Sequence, residues 1–182
     1  PVMILSDGYI ANGAEPWPGV PFTRIMLDNG ILPGIKVDKG PQPLAGFPGE
    51  VVTEGLDGLR DRLNEYARLG AKFAKWRAGI DIADGIPSQY CIDVNAHALA
   101  RYAALCQDQD LVPIVEPEVL MDGGHSIDRC YEVTEFALKE LYRELYYARV
   151  KLEGTALKPN MIVPGKKCEE QASVEEVAEK TL

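Results

Sequence analysis

Residues 71–77 read Ala-Lys-Phe-Ala-Lys-Trp-Arg, a short apolar run that closes on two cations two positions apart. In a strand, residues i and i+2 share a face, so Lys75 and Arg77 project together and Trp76 turns the other way, into a helix layer as core. The segment before it has the opposite period. Leu56, Leu59, Leu63 and Tyr66 recur at three- and four-residue steps, and Gly70 follows as a stop. The same strand-and-helix unit repeats outward from there. Strand-like runs lie at residues 2–6, 31–37, 111–117 and 155–161. Ile92, Ala96, Leu99, Tyr102 and Cys106 form a helical stripe after Ser88, and Ile127 to Ala148 forms another after Ser126, a suitable N-cap. A shorter helix is expected over 22–28, stopping at Gly30, and a further one over 173–182.

The charged strand ends are regularly spaced: Lys36 to Lys75 is 39 residues, Lys75 to Glu116 is 41, and Glu116 to Lys158 is 42. Strand–helix alternation at this period argues for βαβ units and a parallel sheet, either doubly wound or a (β/α)8 TIM barrel. No Gly-x-Gly-x-x-Gly follows a strand, which weakens the dinucleotide-binding version. A barrel needs eight strands and about 250 residues, against five strands in 182 residues. The expectation is a single α/β domain over 1–182: a barrel fragment, truncated at both ends, that carries strands two to six. Its strands should be parallel and adjacent in sequence order, with Lys36, Lys75, Glu116 and Lys158 opening at one end. Apolar edges should lie exposed where further strands would pair. Residues 13–21 and 40–49, rich in Pro and Gly, read as loops.

The composition, 46% hydrophobic and 26% charged, is that of a folded globular chain rather than a disordered one. A net charge of −9 excludes the field that drives generic binding to nucleic acid or to an anionic membrane surface. No apolar run reaches the length of a membrane span. Four scattered cysteines without a CxxC pair read as reduced, mostly buried thiols of an intracellular protein. Two isolated histidines, His97 and His125, are too few for a zinc site built on imidazole and read as structural or solvated, so no metal and no cofactor is expected.

The chemistry concentrates at the strand ends, where parallel α/β folds bind ligands. Lys36, Lys75, Arg77 and Lys158 supply four positive charges there, and Glu116 with Glu118 two negative ones. Any one of these could be half of a structural ion pair. Six of them at equivalent ends of four successive strands point instead to a site for a phosphorylated anion, because buried charges are costly. A lysine beside other cations and partly desolvated has a lowered pKa and can attack a carbonyl. Lys158 suits that role best: Pro159 holds it extended, and Asn160 is expected on the same face. Glu116 can shuttle protons with Lys75 tuning the charge around it, while Lys36 and Arg77 hold phosphate. Lys39, Lys72 and Glu50 read as surface charges, and Glu132, Glu135 and Glu140 as solvated helix faces.

Gly34-Ile-Lys-Val-Asp-Lys-Gly40, Phe73-Ala-Lys-Trp-Arg77, Pro113-Ile-Val-Glu-Pro-Glu118 and Leu152-Glu-Gly-Thr-Ala-Leu-Lys-Pro-Asn-Met161 together resemble the signatures of class I fructose-bisphosphate aldolase. The likeness runs from about residue 31 onward and is looser before residue 22. It implies a (β/α)8 barrel, commonly a cytosolic homotetramer, that cleaves fructose 1,6-bisphosphate to dihydroxyacetone phosphate and glyceraldehyde 3-phosphate without a metal. It implies Lys158 as the Schiff-base lysine, Glu116 as the main acid/base, Lys75 as its assistant, Glu118 as the neighbouring carboxylate, and Lys36 and Arg77 as contacts to the sugar phosphate substrate. The family's first-strand Asp and its later Ser and Arg phosphate loop have no counterpart in residues 1–182, so this stretch alone is expected to be inactive. The residues by themselves also admit another Schiff-base lyase barrel, or a non-catalytic remnant or assembly module.

Overall fold

The computed structural model describes residues 1–10, 13–14 and 17–182. Five parallel strands form its main sheet in sequence order: β1 (Val2–Leu5), β4 (Leu32–Lys36), β7 (Phe73–Ile80), β8 (Val112–Val119) and β9 (Ala156–Leu157). This is the parallel α/β architecture expected for part of a (β/α)8 barrel. The helices α2 (Phe22–Asp28), α3 (Leu59–Arg68), α4 (Gln89–Gln107), α5 (Ile127–Tyr147) and α6 (Val174–Thr181) fall where the apolar periodicity put them. Serines cap three of them: Ser88, Ser126 and Ser173 accept from the backbone N–H of Cys91, Arg129 and Glu176 at 3.1–3.2 Å.

The repeat of about 40 residues has a backbone cause. Four helices end in one geometry, a bond spanning five residues: Ile31 N to Met26 O, Ala71 N to Tyr66 O, Leu111 N to Cys106 O and Val150 N to Leu145 O, at 2.8–3.0 Å. A strand starts within two residues of the first three, whereas a 3-10 turn over Leu152–Gly154 separates Val150 from β9. The residue that turns the chain has a positive φ each time: Gly30 at 70°, Gly70 at 101°, Asp110 at 54° and Arg149 at 56°. Two of these stops carried no glycine signal in the sequence.

One sheet face packs on the helices. Ile35, Val37, Ala74, Trp76, Ala78 and Val115 meet Leu59, Leu63, Leu99, Tyr102, Leu141 and Leu145 in one buried cluster. Trp76 does turn into that layer, fully buried, with its ring 5.5 Å from that of Tyr102; truncating it to Ala would cost about 3–5 kcal/mol. Apolar side chains are exposed on both outermost strands, as expected: Val2, Met3 and Ile4 on β1, and Leu157 on β9. No described helix is long and apolar enough to cross a membrane.

Several local expectations are corrected. A helical turn, α1 (Asp7–Ile10), precedes the first Pro/Gly-rich stretch. That stretch, which includes residues 15 and 16 outside the described set, holds an antiparallel pair, β2 (Gly13–Ala14) with β3 (Trp17–Pro21). The second holds β5 (Pro41–Pro43), paired with β6 (Val51–Thr53). Asn95 of α4 clamps this hairpin by accepting from Thr53 N at 3.1 Å and donating to Val51 O at 2.9 Å. Glu50 is not a surface charge: it is buried and accepts from Ser88 N at 2.6 Å, at the N-terminus of α4. Glu140 is also buried, against Arg143.

Gly34 in β4 faces Phe73 across the β4–β7 pair, and a Cβ placed there would lie 2.2 Å from the ring. We expect Gly34→Ala to destabilise the chain in urea unfolding by about 1–3 kcal/mol through overpacking, and Phe73→Leu in the same background to recover part of that loss. Equal stability of Gly34→Ala and wild type would mean that the ring moves aside freely.

Candidate active site

The sheet register brings the strand-end charges to one end of the sheet. Lys36 stands opposite Lys75 across the β4–β7 pair, and Arg77 opposite Glu116 across β7–β8. Beyond the short β9, Lys158 N still donates to Val115 O at 2.9 Å, which sets its side chain level with Glu116.

Lys75, Glu116 and Lys158 form one cluster. The Glu116 side chain is only 3% exposed. Lys75 Nζ lies 2.7 Å from its Oε2, and Lys158 Nζ donates to its Oε1. Burial alone would push the Glu116 carboxyl up. The hydrogen bonds and charges of Lys158 and Lys75 outweigh that and hold it below its ordinary value of 4.5, as an ionised carboxylate. The two lysines differ in access: the Lys158 side chain is 59% exposed and that of Lys75 18%.

The remaining site residues form separate pairs. Arg77 Nε donates to Glu118 Oε2. Lys36 Nζ binds Asp38 Oδ1 at 2.6 Å. Asp38 had no role in the sequence reading, although it stands two residues after Lys36, the spacing that singled out Arg77 and Glu118. Its buried carboxylate also accepts from Gly40 N at 3.1 Å and from Arg77 N at 3.4 Å, so it joins the ends of β4 and β7. With Asp38 included, four cations face three carboxylates, and the mouth carries a net charge of +1 rather than the +2 expected. Asn160 is not on the Lys158 face: it turns to α5 and to the end of β8. His97 is exposed and bound to Glu144 at 2.8 Å. Burial holds the pKa of His125 below 6.5, so its ring is neutral at pH 7.

Chemically, an ionised, buried carboxylate between two ammonium groups can accept a proton from either and, once protonated, return it. The more exposed lysine has its amine side open to an incoming carbonyl.

Residues 12–182 match the family model described as Glycolytic: Fructose-bisphosphate aldolase class-I. The chain is 69% identical, over 90% of its length, to a probable fructose-bisphosphate aldolase class 1 of Xanthomonas campestris pv. campestris, covering 49% of that protein. It is 54% identical over the same share to fructose-bisphosphate aldolase C of Mus musculus, covering 45% of it. Among solved structures it superposes with a TM-score of 0.94 on fructose-bisphosphate aldolase from Plasmodium falciparum, crystallised with TRAP and a small molecule inhibitor. The two are 42% identical, and the likeness covers 99% of this chain and 52% of that one. The chain thus spans about half the length of the curated relatives it matches.

The lowered pKa of Glu116 has a consequence for stability. The folded state holds this carboxyl ionised more strongly than the unfolded state does, so it contributes fully above pH 4.5. That contribution is lost as pH falls from 4.5 through the lower folded value. We expect the unfolding free energy of wild type minus that of Glu116→Gln to shrink over this window and to stay constant above it. A difference that does not vary with pH would show that the two lysines do not hold the charge.

Proposed function

The chain belongs to the class-I fructose-bisphosphate aldolase family, and on that premise we propose that its strand ends carry the Schiff-base cleavage of fructose 1,6-bisphosphate. The observation that carries the reading is the buried Glu116 carboxylate shared by Lys75 and Lys158. Lys158 Nζ gives one proton to Glu116, attacks the substrate carbonyl carbon, and loses a second proton to the carbonyl oxygen, which leaves a neutral carbinolamine. Protonated Glu116 then returns its proton to that hydroxyl, which leaves as water, and an iminium remains on Lys158. The iminium draws electrons from the bond between its α and β carbons as the hydroxyl on the β carbon loses its proton to a base. The aldehyde fragment, glyceraldehyde 3-phosphate, departs, and dihydroxyacetone phosphate is freed once the remaining enamine is protonated and hydrolysed.

Lys75 keeps a cation on Glu116 throughout. Lys36 and Arg77 meet the phosphorylated substrate, Arg77 by exchanging Glu118 for a phosphate oxygen, and Glu118 holds Arg77 in place until then. No step calls on a metal or a cofactor. Another Schiff-base lyase could use the same lysine–carboxylate pair; family membership favours the aldolase.

The five described strands leave the sheet open, whereas a barrel closes on eight. We therefore assign turnover to a complete polypeptide longer than residues 1–182, a cytoplasmic homotetramer as in the family, and little or none to this stretch alone. The buried free thiols of Cys91, Cys106 and Cys130 are in keeping with a reducing compartment.

In the complete enzyme, borohydride with dihydroxyacetone phosphate should trap a covalent adduct on Lys158. Lys158→Met should abolish trapping, and Lys75→Met should slow turnover while the adduct still forms. Peptide mapping that placed the adduct on Lys75 would reverse the assignment, and full activity in Lys158→Met would end the Schiff-base reading. Arg77→Glu should raise KM at least about tenfold, because a charged hydrogen bond to phosphate contributes about 1.5–3 kcal/mol; an unchanged KM would remove Arg77 from the site.

A further inference from the structure

The segment that carries Lys158 is held to the sheet in an unusual way. Strand β9 is two residues long and pairs only with Ile114 and Val115. In a parallel ladder, alternate residues direct both N–H and C=O to the same neighbour. Val112, at the start of β8, and Leu120, just past its end, donate to Lys72 O and Ile80 O on the β7 side. Val115, Pro117 and Val119 therefore turn towards β9. Val115 O accepts from Lys158 N, and Pro117 has no N–H to give. Pro159, next to Lys158, has none either. The ladder fails at the level where Lys158 meets Glu116.

A side chain replaces the missing rung. Asn160 Oδ1 accepts from Val119 N at 3.0 Å, the next β8 donor on that side. Its Nδ2 donates to Thr134 Oγ1 of α5 at 3.0 Å and to Met161 O at 3.0 Å. Thr134 and Val119 are both buried, so this anchor is tied to packed elements on two sides. Lys158 is thus bracketed by one backbone bond before it and one amide clamp two residues after it.

We propose that Asn160 is a positioning residue that sets the reach of Lys158 Nζ relative to Glu116, with Thr134 as its support. The inference rests on the Schiff-base reading of Lys158. Asn160 touches neither substrate nor the reacting amine. Its loss lets the Lys158–Pro159 segment lift from β8 and lengthens the path for the proton that moves between Lys158 and Glu116. Sugar-phosphate contacts from Lys36 and Arg77, on other strands, are left in place.

The test compares two readouts in the complete enzyme: the rate of borohydride trapping with dihydroxyacetone phosphate, and the inhibition constant of inorganic phosphate. We expect Asn160→Ala to trap about tenfold or more slowly, because small displacements of a reacting group are strongly felt, while the phosphate constant stays within about twofold. Asn160→Asp, which keeps the acceptor for Val119 N, and Thr134→Val, which removes only the support, should fall between Asn160→Ala and wild type. These two milder variants carry the test if Asn160→Ala does not fold. Wild-type trapping rates in every folded variant would overturn the proposal, as would parallel losses of trapping and phosphate binding, the mark of a purely structural role. Absence of a Lys158 adduct in wild type is the distinct outcome in which the Schiff-base reading itself falls and takes this inference with it.

Discussion

Glu116 is a carboxylate in the wrong solvent, and it keeps its charge only because two ammonium groups from two other strands converge on it. Each ammonium offsets part of the cost of holding that charge out of water. The pairing makes demands on the fold. Lys75 comes from β7 on one side and Lys158 from beyond β9 on the other, so three strands must keep their register to within one residue. A slip by one would turn Lys75 into the helix layer and Trp76 into the mouth.

That register is set at the opposite end of the strands. Each of four helices closes with the same bond across five residues around one residue of positive φ, and three of them hand the chain straight to the next strand. Because the stops fall at residues 30, 70, 110 and 149, the strand ends beyond them fall at near-constant intervals too. Asp110 and Arg149 hold a conformation that costs a non-glycine residue about 1–2 kcal/mol. The bonds from Leu111 to Cys106 and from Val150 to Leu145 offset that cost by satisfying helix-end carbonyls.

The sequence was most legible where structure is local and periodic. Apolar stripes, serine caps and the cations closing each strand all lie within one element, and together they place the sheet order and bring Lys75, Glu116 and Lys158 to one end of it. What escaped depends on distant partners. Glu50 looks like a loop charge until Ser88, 38 residues away, brings the start of a helix to it. The β5–β6 pair looks like a Pro/Gly loop until Asn95 clamps it from α4. Asp38 was recoverable in principle, since it follows Lys36 by two, but the chain leaves the strand at Lys36 and only the fold shows the carboxylate turning back. Asn160 was read by strand alternation past Leu157, where the strand has already ended.

The difference in exposure between the two lysines explains how one carboxylate can serve both. A reacting amine must reach its substrate, and Lys158, with more than half of its side chain open, can do so; Lys75, at 18%, cannot approach as freely. In the proposed cycle Lys158 gives its proton to Glu116 as it attacks, and the buried group is then a neutral acid, the form that burial favours. When that proton moves on to the departing oxygen, the carboxylate returns, but Lys158 has become a cationic iminium and Lys75 has not moved. At every stage Glu116 is either protonated or faced by a cation, so the proton can travel without stranding a charge inside the protein. Lys75, held on the neighbouring strand and largely shielded from water, adds a second cation beside Glu116 whose charge is the same at every stage of that cycle.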